Sequence, residues 1–208
     1  MLDNNLLRTA AILAAFAGVS VTLVAVIHEV TKTVIAHNEQ RSLLNKLSVL
    51  VPTTSIDNDI INDILVVQAP SLLGANSSVV YRGRKHGQPV AVIVNTTVPD
   101  GYAGPIKLLV AVGYDGTLRG VRVVSHKETP GLGDRIEEQK TNWILDFNGK
   151  SIVSPPANIW AVKRDGGDFD QLTGATVTSR AVVKAVKNTL LFVEQQGSAL
   201  YSLANLGQ

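Results

Sequence analysis

The chain contains no cysteine. That absence removes disulfide frameworks, thiolate-ligated iron–sulfur clusters and thiol catalysis from consideration. It also fits an oxidising compartment, without placing the protein in one. Charge is sparse as well: a formal net charge of +2 is spread along the chain with no basic stripe, so no nucleic-acid partner is expected. The four histidines lack metal-ligand spacing, and Asp165-Gly-Gly-Asp168 lacks the remainder of a calcium loop, so no metal site is expected. Neither a Gly-x-Ser-x-Gly elbow nor a phosphate-binding Walker loop is present. With 208 residues, the chain has room for one globular domain and additional segments at its ends.

One long run is free of charge. From Thr9 to Ile27 the sequence reads TAAILAAFAGVSVTLVAVI, bracketed by Arg8 and Glu29. At about 1.5 Å per residue it nearly crosses a hydrocarbon core of about 30 Å. A signal-peptide apolar core is shorter, about 7–15 residues. The expected organisation is a short tail over 1–8, a transmembrane helix over 9–28, a helical stalk over 29–52 that Pro52 stops, and a domain over 53–208. Arg8 precedes the run, while Lys32, Arg41 and Lys46 follow it, so flanking charge leaves the topology open.

Beyond the stalk, TTSIDNDIINDIL predicts a short helix capped by Ser55 or Asp57. Two pairs of β-prone runs follow, one turning near Gly87 and the other at Asp115-Gly116. Four strands in meander order between helices predict an α+β fold, an antiparallel sheet with flanking helices. Residues 127–170 read as irregular except for a short helix over Asp134–Lys140 and a strand near Trp160–Lys163. Trp143 and Trp160 argue against disorder there, and Tyr102, Tyr114 and both tryptophans are expected in the core. From Ser179 onward, Val182, Val183, Val186, Leu190 and Val193 share one face of an amphipathic helix.

Just ahead of that helix stands DQLTGATVTSR, Asp170 to Arg180. Thr176 or Thr178 is expected to cap the helix, yet a cap uses one hydroxyl of the four in the stretch. A helix N-terminus also offers unpaired amides and the positive end of a dipole, which together bind anions. Gly174 and Ala175 leave space for a bulky group, and a threonine hydroxyl there can hydrogen-bond a phosphate or be esterified by one.

DQLTGAT resembles the attachment motif of proteins that carry FMN covalently through a threonine phosphoester. From average residue usage, the seven-residue match arises by chance in roughly one protein of this size per thousand. A second stretch, ETPGLG (Glu128 to Gly133), resembles the loop that packs on the flavin in the same family. Pro130-Gly131 suits the central positions of a type II turn. With the apolar N-terminal run, the arrangement resembles the G subunit of the Rnf ion-translocating ferredoxin:NAD oxidoreductase. The related C subunit of the sodium-pumping NADH:quinone oxidoreductase is the alternative, and a non-redox membrane-anchored interaction or sensor domain is the alternative outside the redox class.

The resemblance implies covalent FMN on Thr176, with Thr178 as second candidate. Thr173 and Thr178 are expected to bond the phosphate or ribityl chain, Gly174 and Ala175 to make room, and Glu128, Thr129, Pro130, Gly131, Leu132 and Gly133 to line the ring. It implies further a flavin transferase for maturation, the other membrane and peripheral Rnf subunits as partners, and contact with membrane lipid. The implied location is the bacterial inner membrane, with a cytoplasmic N-terminus and the flavin domain on the periplasmic side. Electron relay within the complex, rather than catalysis by the isolated chain, is what the resemblance implies.

Overall fold

The computed structural model describes residues 4–202. The first helix, α1, runs over Asn4–Leu50. Its apolar residues are exposed all round, Leu13, Phe16, Val19 and Leu23 among them. A helix apolar on every side has no single stripe to lay against a core, a pattern that suits a membrane span. It is long and apolar enough to cross a membrane. The chain divides into two compact units, residues 1–44 and 45–208.

The second unit is built on five antiparallel strands in the order in which they occur in the chain: β1 (Ile64–Val67), β2 (Ser78–Lys85), β3 (Gln88–Val98), β4 (Ile106–Gly113) and β5 (Leu118–Ser125). The turn between β2 and β3 is His86-Gly87, both at positive φ (51° and 75°), with Lys85 opposite Gln88. Two left-handed residues match the twist of a tight hairpin. Between β4 and β5, Asp115 accepts hydrogen bonds from the amide and hydroxyl of Thr117.

The meander has one strand more than the sequence predicts. Ile64–Val67 pairs with β2 instead of completing a helix. Locally, Asp59 draws the amides of Asn62 and Asp63 into a turn, and four consecutive branched or apolar residues then satisfy the open edge of β2. The predicted helix over Asp134–Lys140 is also absent: a single 3₁₀ turn, Gly133–Ile136, stands there. Near Trp160–Lys163 there is no strand, only an isolated bridge between Val162 and Phe169.

Even-numbered residues of the central strands (Val92, Val94, Leu108, Val110 and Val112) form one core with the last helix, α3 (Thr176–Gln196); a single short turn of helix, α2 (Pro70–Leu73), lies between β1 and β2. The Thr96 and Thr189 hydroxyls, 2.8 Å apart, tie β3 to α3 inside the core. The opposite face of the sheet is covered by the end of α1 and by residues 51–56. Leu47, Leu50, Val51 and Ile56 are buried, Leu50 lies over Gly120, and Val51 and Ile56 lie over Gly83. The last turn of the helix is thus part of the domain's second core.

Trp143, Phe147, Trp160 and Phe169 pack into one aromatic cluster that orders the long irregular segment. Tyr102 and Tyr114, expected in the core, are exposed instead. The cluster reaches the motif directly, because the Trp143 indole N–H donates to the Asp170 carbonyl at 2.6 Å.

Candidate functional site at the start of helix α3

The hydroxyls of the DQLTGATVTSR stretch have separate tasks, and capping is not among them. The N-cap residue is Ala175, and no side chain caps the helix. Ser179 Oγ accepts from the Leu172 amide and donates to the Ala175 carbonyl, both at 3.0 Å, stapling the loop to the first turn. Thr178 is 1% exposed and donates to the Glu128 carboxylate at 2.5 Å. Its side chain points inward, and its hydroxyl is engaged by that carboxylate. Thr173 is exposed and Thr176 half-buried, and neither hydroxyl has a partner among the described residues.

The capping prediction fails because Thr176 lies inside the helix, one residue past the Ala175 N-cap, and because the Thr178 hydroxyl has a stronger bond to make. Thr178 meets a carboxylate, and a hydrogen bond to a charged group exceeds one to a neutral amide. The first helical bond of the segment is the Ser179 amide to the Ala175 carbonyl. Among the described residues, nothing accepts from the amides of Thr176, Val177 and Thr178. A helix of 21 residues therefore presents open donors and its positive dipole end beside an unengaged threonine hydroxyl.

Glu128 is the hub of the site. It is 4% exposed and accepts from the Ala103 amide (3.0 Å) and from Thr178. Its own amide donates to His126 Nδ1 at 3.0 Å. One carboxylate thereby joins three segments: the Gly101–Gly104 loop, the ETPGLG loop and the first turn of α3. Glu128, which the resemblance expects to line the ring, is buried, where it holds these three segments together.

The ETPGLG loop turns as predicted. The Leu132 amide closes onto the Thr129 carbonyl at 3.2 Å, and Gly131 has a φ of 78°. Thr129, Pro130 and Gly131 lie on the loop ahead of Gly133, which is buried against Glu128; Pro130 and Gly131 are exposed. The two motifs meet at Leu132 and Gly174: a Cβ on Gly174 would lie 2.9 Å from Leu132 Cδ2. Three large apolar side chains stand exposed on the segments that Glu128 joins, namely Tyr102 (71%), Leu132 (45%) and Val177 (46%).

Ion pairs hold the approach to the motif. Asp165 receives a bidentate pair from Arg180, at 2.5 and 2.7 Å, and this hydrogen bonding holds its carboxyl below the usual carboxylate range. Lys163 bonds Asp170 at 2.8 Å, a contact that raises the lysine above its ordinary value. The Gly101–Gly104 loop, His126 and these pairs are invisible to sequence reasoning. Only the glycine spacing at 101 and 104 hints at a close approach of backbone. Among the described residues, no cluster of His, Asp and Glu could hold a metal.

The constellation suits a phosphate-bearing planar ligand. Open amides and a hydroxyl are donors of the kind that bind a phosphate, Gly174 has no side chain to obstruct the space beside them, and the exposed apolar groups are of the kind that pack on a ring.

Residues 101–191 match the family described as FMN-binding domain, which takes in both motifs and the Gly101–Gly104 loop. Residues 1–50 match the RnfG N-terminal region. The chain is 46% identical to the G subunit of the ion-translocating oxidoreductase complex of Photorhabdus laumondii, covering 94% of each chain. It is 46% identical to that of Erwinia tasmaniensis, over 94% of this chain and 93% of the relative. With the corresponding protein of Pseudoalteromonas atlantica it shares 45% identity, over 93% of this chain and 91% of the relative. The chain therefore belongs to the family of Rnf ion-translocating oxidoreductase complex G subunits and carries an FMN-binding domain.

Proposed function

We propose that the chain is the flavin-carrying, membrane-anchored electron-transfer subunit of an Rnf-type ion-translocating oxidoreductase, with FMN esterified through its phosphate to Thr176. One observation carries the choice of residue. Thr176 presents a half-buried, unengaged hydroxyl at the first position of α3, whereas Thr178 is buried and committed to Glu128.

Thr176 Oγ1 forms the new O–P bond. The flavin transferase would take up the hydroxyl proton and release the leaving group of an activated flavin-phosphate donor as that bond forms. The phosphodiester would keep one negative charge, and the amides of Thr176, Val177 and Thr178 would hold it. When bound, FMN supplies the electron-transfer chemistry, and the protein contributes position and surroundings. Leu132, Val177 and Tyr102 offer apolar surface to the ring, and Gly174 keeps the space beside Leu132 clear. Asp170, tethered by Lys163 and by the Trp143 indole, presents an exposed carboxylate to the transferase.

Residues 9–28 span the bacterial inner membrane in this reading, with the N-terminus cytoplasmic and the flavin domain periplasmic. Its partners are the other membrane and peripheral Rnf subunits, the flavin transferase and surrounding lipid. A covalent tether suits that side of the membrane, where lost cofactor is not replaced from a cytoplasmic pool. The test is fluorescence of the denatured chain on a gel after co-expression with a flavin transferase. A yellow-fluorescent band that survives denaturation is expected, and a dark band refutes covalent attachment.

A further inference from the structure

We propose that the cleft at the far end of α3 is a second binding site, for a small amine: an ammonium group and a hydrogen-bonding oxygen at opposite ends of an apolar body. The site is independent of the flavin reading. The 21 residues of α3, about 30 Å of helix, separate it from Thr176.

The cleft holds about 480 Å³, within the range of about 300–1,000 Å³ that small-molecule sites occupy. Val112 walls it at the end of β4, Leu190 and Val193 at the end of α3, and Ile152 in the irregular segment. Tyr114 and Val153 also line it and stand largely exposed. Among the described residues, no lysine, arginine or histidine lines it, whereas Asp115 and Glu194 do. Arg119 pairs with Asp115, so Glu194 is the carboxylate left for a cation. The cleft therefore suits an apolar body with a positive end and rejects an anion.

Two groups in this lining lack the partners that a folded chain normally supplies. Tyr201 is 9% exposed, and its hydroxyl is buried with no hydrogen bond among the described residues. Unpaired buried polar atoms cost stability, and native folds keep few of them. Glu194 has no ion pair among the described residues, and it stands in the last turn of α3. That is the negative end of the helix dipole, where a carboxylate is disfavoured. No basic residue in the same turn offsets it. Sequences break such local rules chiefly at functional sites. A two-ended amine supplies both missing partners: its ammonium donates to Glu194, and its oxygen bonds the Tyr201 phenol. Tyr114, which packs edge-on against the Tyr201 ring, is exposed enough to turn aside and admit the ligand.

The probe is tyramine, a phenol carrying an ethylammonium, titrated into the full chain in lipid nanodiscs, where no free detergent competes. Saturable binding is expected at roughly millimolar or tighter, with amide NMR shifts at Gly116, Val153 and Ser198. Para-hydroxyphenylacetate, which replaces the ammonium by a carboxylate, should not bind. Phenethylamine, which lacks the phenol oxygen, should bind about fivefold more weakly than tyramine. Glu194→Gln should weaken both amines about tenfold. Tyr201→Phe should bring tyramine to the level of phenethylamine and leave phenethylamine unchanged, which a general loosening of the fold would not do. Each variant removes a group disfavoured in the free chain, so neither should unfold earlier than the wild type. Absence of saturable binding overturns the proposal, and so does a cleft that takes the acid as well as the amine. Unchanged tyramine affinity in either variant overturns it too. None of these readouts involves flavin, so a chain that takes up no FMN refutes the covalent reading alone.

Discussion

The Thr178 hydroxyl and the Glu128 carboxylate, 50 residues apart in sequence, meet inside the domain at 2.5 Å. Both are almost wholly buried. A hydrogen bond to a charged group contributes about 1.5–3 kcal/mol, and a buried acceptor left without its donor costs about as much. Thr178→Val keeps the shape and removes the donor. We expect a loss of about 2–3 kcal/mol in urea unfolding, read as a lower midpoint at unchanged slope. A change below about 0.5 kcal/mol, the range of an ordinary surface substitution, would show that the bond adds no stability.

The same contact separates the two candidate threonines. Intact mass of Thr176→Ala, co-expressed with the transferase, should lack the flavin adduct while unfolding at the wild-type midpoint. Thr178→Ala should be less stable yet keep the adduct. Loss of the adduct in Thr178→Ala alone would reverse the assignment.

The sequence makes the two motifs legible, because TGAT and ETPGLG are short and local and their glycines mark where backbone must turn or approach. It also makes the α3 face legible, since Val182, Val186, Leu190 and Val193 repeat at helical spacing. Three features are not legible, and each depends on a partner far along the chain. Ile64–Val67 is a strand only because β2 offers an edge. Thr178 leaves its cap only because Glu128 lies within reach. His126 belongs to the site through one backbone amide, and no composition rule flags that contact. The stalk shows the same limit: its spacing predicts a helix ending near Pro52, but only packing places Leu47 and Leu50 in the domain's core.

The two buried or close-packed glycines of the motifs should respond differently to alanine. On Gly133 a Cβ would lie 2.8 Å from both Cβ and Oε2 of Glu128 and 3.2 Å from Thr178 Oγ1, so the hub itself must shift. Gly174 has a φ of 81°, and its new Cβ would meet only the end of the Leu132 side chain. A left-handed alanine costs about 1–2 kcal/mol, and Leu132 can yield. Gly133→Ala should therefore lose more stability, while Gly174→Ala should fold and instead impair flavin loading. Thermal unfolding and adduct mass, measured on both variants, check the contrast; equal stability losses would contradict it.

Residues 1–44 and the remainder form separate compact units, so a chain starting at Asn45 should fold without the apolar helix. We expect it in the soluble fraction, and the full chain in membranes resistant to alkaline carbonate. Starting instead at residue 53 removes Leu47, Leu50 and Val51 from beneath the sheet. Loss of a buried leucine side chain costs about 2–5 kcal/mol, so this shorter chain should be markedly less stable or fail to fold. Equal unfolding midpoints for the two truncations would remove the end of α1 from the core.

At the other end of the domain, Tyr201 packs edge-on against Tyr114 with ring centroids 5.3 Å apart, and its hydroxyl is buried without a partner among the described residues. Burial, reinforced by Tyr114 and Asp115, pushes the phenol up to about 12. A free tyrosine titrates near 10. Between those values the folded chain holds a proton that the unfolded chain has released. The contribution is therefore complete below about pH 10 and is lost as pH climbs toward 12. Tyr201→Phe has no proton to lose, so its unfolding midpoint should fall less steeply across that interval than the wild type's. Urea midpoints at half-unit steps of pH decide it, and parallel curves for the two proteins would mean that Tyr201 is not the group that titrates.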